Sequence, residues 1–401
     1  MVLFALNSVN SLKIDSKLGC NPIKNKCLME FSKNIPPTQK SNQLLVKSGI
    51  KLPIWPIYGG VFAQLADWLK LSSLTDVILS RIGGRVVPLP LNDMAIDPFL
   101  LIVHHSHSFM PLDPIRFLTK LFLPEGFPAH PHSGFGTLTF TLNGGLKHRD
   151  SEGIKMKYGN GDAQWMRAGK GVIHEEMWDV SSTEFEKIDI FQLWVNLPSF
   201  NQFSVPDVKV IKNIEVKEAK LDEKGGLIKV LYGSMNINMN DIFLVGPGND
   251  LSDTVDMGIA HLTLPPNSVY YLTPPIEFST MLFIQSGSFK FEDGSEFNMG
   301  SLVYNKPEDI QQFPSSMRIE SGERGLTCLL MIGEKRKEDV IMSGPFVSKS
   351  VSEYNEVSRV WGNVENSAFW DYKISDTEWM KHIDDLKLQF KLKSLIRSTN
   401  Y

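Results

Sequence analysis

Thr137-Leu-Thr-Phe-Thr-Leu142 alternates polar and apolar residues strictly, which is the period of a half-buried strand. Asn143-Gly144-Gly145 follows it and reads as a tight hairpin turn. From about Arg81 to Pro206 the chain keeps this texture of short strands and turns. A looser copy comes later: Phe283-Ile-Gln-Ser-Gly-Ser-Phe-Lys-Phe291 reads as strand, Gly turn, strand, and Gly300-Ser-Leu-Val-Tyr304 resembles Gly161-Asp-Ala-Gln-Trp165. Two copies of one antiparallel β unit are expected, over 81–206 and 207–350, with a linker near Asp222-Glu-Lys-Gly-Gly226. Elsewhere the period lengthens. Leu65, Trp68 and Leu69 fall at helical spacing, so 51–80 is predicted to be a helical lead-in covering the following domain. Ser375-Asp-Thr-Glu378 has capping-box form, and Trp379, Ile383, Leu386 and Phe390 make a stripe behind it. The tail, 351–401, is therefore predicted helical and packed on the domains. The fold class is all-β: two tandem β-barrels with an N-terminal extension and a C-terminal helix.

Composition changes this picture little. The 401 residues suit two or three domains, and 42% apolar with 21% charged residues is an ordinary globular balance. Forty-one Lys and Arg against 45 Asp and Glu give a net charge of −4, which argues against a dedicated binder of bare nucleic acid. The charge is uneven. Residues 1–50 carry seven Lys against Asp15 and Glu30, a net of +5, leaving −9 for the rest. That basic start reads as a disordered or targeting extension, although it lacks Arg and signal-peptide architecture. Cys20, Cys27 and Cys328 cannot form a disulfide framework and contain no CxxC pair, so free thiols in a reducing compartment are expected. No run is long and apolar enough to span a bilayer. A cytoplasmic or nuclear location follows, with organelle targeting by the extension as a further option.

The nine histidines carry the chemical signal. His130 and His132, in Ala129-His-Pro-His132, share a side of any strand they lie on. Carried forward, their parity continues as Gly134, Gly136, Leu138 and Phe140, so the imidazoles stand at one end of an apolar interior face, with two glycines leaving space beside them. His174 and Glu176 form a second i, i+2 pair after Ala168-Gly-Lys-Gly171. Two such pairs on neighbouring strands of a small barrel can converge on one point. Three neutral imidazoles and a carboxylate suit a first-row divalent metal and can leave two octahedral positions open. Glu175 has the opposite parity and should face away. His148 reads as a rim or turn residue, or else as a group behind the ligands. His104-His-Ser-His107 reads as a His-rich loop that could reach the mouth of the pocket. In the second unit only His261 is present, too few to rebuild the site.

His130-Pro-His-Ser-Gly-Phe135, His148-Arg-Asp-Ser151, Gly161-Asp-Ala-Gln-Trp-Met166, Ala168-Gly-Lys-Gly171, His174-Glu-Glu-Met177 and Gln192-Leu-Trp-Val-Asn-Leu197 together resemble the pirin family of bicupins. Asp97-Pro-Phe-Leu-Leu101 and Ser343-Gly-Pro-Phe346 resemble it too, and the likeness covers about 81–360. It implies two stacked jelly-roll barrels of the cupin type with iron in the N-terminal barrel only. The family's three His and one Glu carry over onto His130, His132, His174 and Glu176, which favours Glu176 over Glu175. Ser133 and Gly136 stand where the family usually has Arg and Glu, which alters the charge and volume of the pocket.

The resemblance implies two kinds of function. One is an Fe(II)-dependent dioxygenase opening flavonol-like, quercetin-type substrates with O2, with Glu176 as metal ligand and candidate base; another first-row divalent metal would suit the same ligands. The other is a non-enzymatic iron redox sensor acting as a transcription co-regulator. The acidic body implies that its contact would be with protein partners such as a transcription factor, and no membrane partner is expected.

Overall fold

In the computed structural model the alternating segment at Thr137 is a strand, but neither of its faces meets water: Phe135 through Thr141 are all buried. The expected half-buried strand is thus a fully covered one. Strict alternation here separates two interiors of different polarity rather than interior from solvent. The structure describes residues 85–398 apart from 92–95, 110, 113–115, 118–119, 122–123, 182, 238–241, 246–255, 275–277, 292, 306–316, 337 and 362–367. Before residue 85 it describes only the short strands β1 (Cys20–Asn21), β2 (Lys26–Cys27), β3 (Met29–Ser32), β4 (Leu44–Ser48) and β5 (Leu52–Pro53). The helix expected around Val61–Leu71 lies outside the described residues.

Ten strands follow: β6 (Arg85–Pro90), β7 (Phe99–Phe109), β8 (Gly126–His132), β9 (Phe135–Asn143), β10 (Gly145–Asp150), β11 (Lys155–Gly159), β12 (Ala163–Arg167), β13 (Val172–Trp178), β14 (Glu186–Asn196) and β15 (Asp207–Ile211). Together with β5 they form a four-stranded sheet in the order β11-β10-β13-β8 and a seven-stranded sheet in the order β15-β12-β9-β14-β7-β6-β5. One cluster draws from both sheets: Leu146, Tyr158 and Trp178 from the first, Phe109, Ile188 and Ile190 from the second. The two sheets therefore face each other around one interior, as jelly-roll barrels do. The Asn143-Gly144-Gly145 turn does not close a hairpin. It hands the chain from one sheet to the other, since β9 pairs with β12 and β14 while β10 pairs with β11 and β13.

The chain divides into two compact units. The unit just described also takes the end of the chain: β26 (Ile341–Ser343), β27 (Phe346–Ser348) and the helices α1 (Val351–Trp361) and α2 (Asp376–Ser398). The Ser375 hydroxyl accepts the Glu378 amide at 3.3 Å, and the Glu378 carboxylate accepts the Ser375 amide at 2.9 Å, which is the capping box the sequence indicates. Trp379, Ile383 and Leu386 are buried against Trp370 and Ile173, the last of these an outward-facing residue of β13. The tail thus lies on the back of the four-stranded sheet.

The other unit contains β16 (Lys217–Lys220), β17 (Leu227–Tyr232), β18 (Ser234–Ile237), β19 (Ile242–Val245), β20 (Met257–Leu264), β21 (Val269–Thr273), β22 (Phe278–Lys290), β23 (Glu296–Asn298), β24 (Ser301–Asn305) and β25 (Met317–Glu334), joined by β3 and β4. Its core is aliphatic, built from residues such as Ile228, Leu262, Leu282 and Leu330, and it holds Cys328 as a buried free thiol. Two expectations change here. Phe283–Phe291 is not strand, turn, strand: β22 is one long strand, broken in register around Ser286–Phe289 with Gly287 at positive φ. Asp222–Gly226 is the turn of the β16–β17 hairpin rather than a linker, closed by the Asp222 carboxylate accepting the Lys224 and Gly226 amides. Among the described residues no helix is long and apolar enough to cross a membrane.

Candidate metal centre

Three adjacent strands of the four-stranded sheet carry the site. On the central one, β13, His174 stands opposite His130 of β8 on one side and Asp150 of β10 on the other. Two residues on, Glu176 stands opposite His148 of β10. Directly opposed residues share a face, so His130, His132, His174, Glu176, His148 and Asp150 all project to one side. A register shift between His174 and Glu176 places Phe127, rather than Pro128, opposite Glu176. The extra residue on β8 turns the Phe127 ring to the same side, 6.4 Å from the His130 ring.

These side chains form two triads that share His174. His130, His132 and His174 bring their ligand atoms within 4.8 Å of one another, and so do His148, His174 and Glu176. His130 Nδ1–H donates to the Pro128 carbonyl at 2.8 Å, which leaves Nε2 with its lone pair, 3.2 Å from His132 Nε2. Burial holds the His130 imidazole below the usual histidine range, and burial together with the neighbouring imidazoles holds His132 and His174 well below it. All three are neutral near pH 7, as metal ligands must be. His174 has no exposed surface, and neither of its ring nitrogens has a hydrogen-bond partner among the described residues. An unpaired buried imidazole costs about 1–3 kcal/mol. A cation held by the converging nitrogens removes that penalty, so the residues present fit a first-row divalent metal.

Glu176 is anchored at both oxygens. Tyr158 donates its hydroxyl to Oε1 at 2.8 Å, and Gln192 donates Nε2–H to Oε2 at 2.8 Å. Thr139 Oγ1 lies 3.4 Å from Oε1. Burial and the adjacent carboxylate raise the Tyr158 phenol well above its ordinary value, so it stays protonated and stays a donor. Trp194 Nε1–H in turn donates to Gln192 Oε1 at 3.2 Å. Beside this group Asp150 accepts the Glu152 and Ile154 amides through Oδ1 and pairs with His148 Nε2 at 3.2 Å through Oδ2.

Several expectations are corrected. His148 is neither rim nor turn: it lies within β10, fully buried, its ring 5.4 Å from that of His174. His104–His107 is not a loop but the middle of β7. His104 faces outward to Asp189, with Nε2 and Oδ1 2.8 Å apart, whereas His105 and His107 face inward. The parity carried from His132 to Phe140 fails at Gly134, whose φ of +87° breaks the alternation between β8 and β9. The Thr face of β9, not the Leu138 and Phe140 face, therefore meets Glu176. Nor do the glycines leave space: a Cβ on Gly134 would fall 1.9 Å from the Val347 carbonyl oxygen, and one on Gly136 would fall 2.7 Å from the Trp165 ring. Glu175 does face away, accepting from Arg149 and from Trp370 Nε1. Sequence reasoning gave no role to Tyr158 or Gln192, because their bearing on Glu176 follows from how the two sheets face each other, which no local spacing encodes.

Comparison with known proteins agrees with this architecture. The Pirin family model matches residues 86–195, and the Pirin C-terminal cupin domain model matches 259–367. Pirin-1 of Arabidopsis thaliana is 31% identical over 69% of this chain and 85% of its own length. A Vibrio cholerae protein provisionally named a quercetin 2,3-dioxygenase is 29% identical over 63% of this chain and 83% of its own. The crystal structure of quercetin 2,3-dioxygenase from Acinetobacter baumannii superposes with a TM-score of 0.59 at 23% identity, covering 70% of this chain and 91% of that one. With both family models matching in order and a relative of this similarity aligned over most of its length, the chain belongs to the pirin family, with two cupin domains of β-strands.

Proposed function

We propose that this protein is an Fe(II)-dependent dioxygenase of flavonol-like substrates, with His130, His132, His174 and Glu176 as the metal ligands. The observation that carries this reading is His174: fully buried, shared by both triads and without a hydrogen-bond partner at either nitrogen among the described residues. The name of the Vibrio cholerae relative points to the same chemistry. Bound there, iron would supply a Lewis acid for an enolic hydroxyl and a place for O2 beside it.

The remaining roles fall to the chain's own residues. His130 is only half-buried, as are the inward-facing Leu101, Val103, Gln192 and Trp194, so this end of the barrel opens to a substrate. Leu146, Tyr158, Trp178, Ile188 and Ile190 close the other end and exclude water. Tyr158 and Gln192 fix the Glu176 carboxylate in orientation, which leaves it placed to take the proton of a hydroxyl bound next to it.

Anaerobic purification with metal analysis, followed by O2 uptake with quercetin, tests the proposal. One equivalent of iron and uptake that disappears in His130→Ala and Glu176→Ala are expected. Full activity in Glu176→Ala removes that residue from the assignment. Iron without uptake across a flavonol panel moves the weight to a redox sensor working through protein partners.

A further inference from the structure

The interior wall of the metal-bearing barrel carries two imidazoles that the metal does not use. His105 and His107 face inward on β7, with ring centroids 5.7 Å apart. His107 is 1% exposed, and neither of its ring nitrogens has a hydrogen-bond partner among the described residues. Its neighbours are aromatic: Trp178 edge-on at 4.3 Å and Phe109 stacked at 6.1 Å. His105 meets Phe127 edge-on at 5.2 Å. Across the ladder stand Ile188 and Ile190, both buried.

This placement is expensive unless something uses it. A buried imidazole left unpaired costs stability, and a phenylalanine would fill the same volume without that penalty. Burial, aided by His104, lowers the His105 pKa to about 3, so the ring is neutral throughout the physiological range and presents one N–H donor and one acceptor nitrogen. Two neutral imidazoles among aromatic rings match the makeup of a site for a flat aromatic ligand with polar groups at its edge: an apolar lining and a few oriented polar atoms.

The position relative to the metal centre sets the ligand's size. Phe127 touches both His105 and His130. In the β7–β14 register His105 opposes Ile190, and Val103 opposes Gln192. His105 is therefore the diagonal neighbour of Gln192, about 7–8 Å away between Cα atoms, and Gln192 holds Glu176. That separation is about the span of a fused two-ring aromatic.

We propose that His105 and His107 form a second binding subsite, which takes a hydroxyl of a planar polyphenol whose enolic oxygens lie at the metal centre. This rests on the dioxygenase reading and narrows it to polyhydroxylated substrates. The imidazoles bind and orient and take no part in bond making.

The test is anaerobic titration of the metal-loaded full-length protein with two probes, quercetin and 3-hydroxyflavone, which share the chelating hydroxy-ketone and differ in the remaining hydroxyls. Wild type should bind quercetin roughly tenfold more tightly, the size of one well-made hydrogen bond in a desolvated site. In His105→Phe/His107→Phe that ratio should collapse to about one while metal content stays at wild-type level. A ratio near one in wild type, or a ratio that survives the double substitution, overturns the subsite and leaves the metal reading standing. If neither flavonol binds the metal-loaded wild type, both fall. Should the double variant fail to fold, the wild-type ratio and the single variant His105→Phe decide.

Discussion

Glu175→Ala should destabilise the unit that carries the candidate metal centre far more than a substitution outside that centre ordinarily does. Glu175 is 2% exposed and lies between His174 and Glu176 with its side chain on the opposite face of β13. One carboxylate oxygen accepts Arg149 Nε–H at 2.5 Å, and the other accepts Trp370 Nε1–H at 2.7 Å. Arg149, itself 7% exposed, spends its other donors on the carbonyls of Ile374 at 3.1 Å and Tyr372 at 3.3 Å, and its guanidinium lies 5.6 Å from the Trp379 ring centroid. Removing the carboxylate leaves a buried guanidinium with two long carbonyl contacts and the more distant, half-exposed Asp376 at 3.8 Å. Breaking a buried pair from one side costs about 3–5 kcal/mol. The orphaned indole N–H belongs to the same loss and is not added to it. At about 2–4 °C per kcal/mol for a unit of this size, the melting temperature should fall by roughly 6–20 °C. Trp370→Phe removes only the N–H and should lower it by a few degrees. Differential scanning calorimetry of the three proteins, each with its metal content measured, checks both numbers. A Glu175→Ala protein melting within about 2 °C of wild type would refute the claim that this pair ties the C-terminal tail to β13.

Tyr158→Phe keeps the buried ring and removes the donor to Glu176 Oε1; metal affinity, read by calorimetric titration, should drop by about tenfold or more with little change in melting. Gly171→Ala puts a methyl 2.0 Å from the Trp361 ring at a φ of +130°, so its melting temperature should fall by several degrees, and an unchanged value would mean that α1 does not seat there. His105, with its pKa lowered by burial to about 3 in the folded protein, binds a proton more readily when unfolded. Its contribution is therefore fully present above about pH 6.5 and shrinks by about 1.4 kcal/mol per unit as pH falls toward the folded value. Denaturant unfolding between pH 6.5 and 4.5 should show a shallower acid loss in His105→Phe than in wild type, and identical slopes would remove His105 from that account.

How much of this could be read from the chain depended on the range of the signal. The capping box at Ser375 and the Trp379–Leu386 stripe are local, and the structure realises both. The turn at Gly144 was legible as a turn but not as a crossing between sheets, because glycine at positive φ says that the chain bends and nothing about what the next strand pairs with. The polarity of β9 misled for a related reason. Alternation distinguishes two faces, and water is only one of the polar surroundings a Thr face can have; here it is the Glu176 carboxylate and its neighbours.

The same distinction runs through the candidate metal centre. His130 with His132, and His174 with Glu176, are i, i+2 pairs, so their common face is fixed by strand geometry alone. These residues are therefore recognisable without knowledge of the fold. His148 has no such partner in sequence beyond Asp150, and its place beside Glu176 comes only from the register of β10 against β13. His105 and His107 are themselves an i, i+2 pair, as regular as the first two, although the sequence alone reads as a His-rich loop that could reach the mouth of the pocket. As part of β7, a strand of the barrel wall, they share the features of the candidate metal ligands: two histidines on one inward face, buried, and at His107 without a hydrogen-bond partner among the described residues. They differ from the candidate ligands in lacking, among the described residues, a converging third residue within reach. A pair without a third ligand suits hydrogen bonding to a substrate better than it suits a cation.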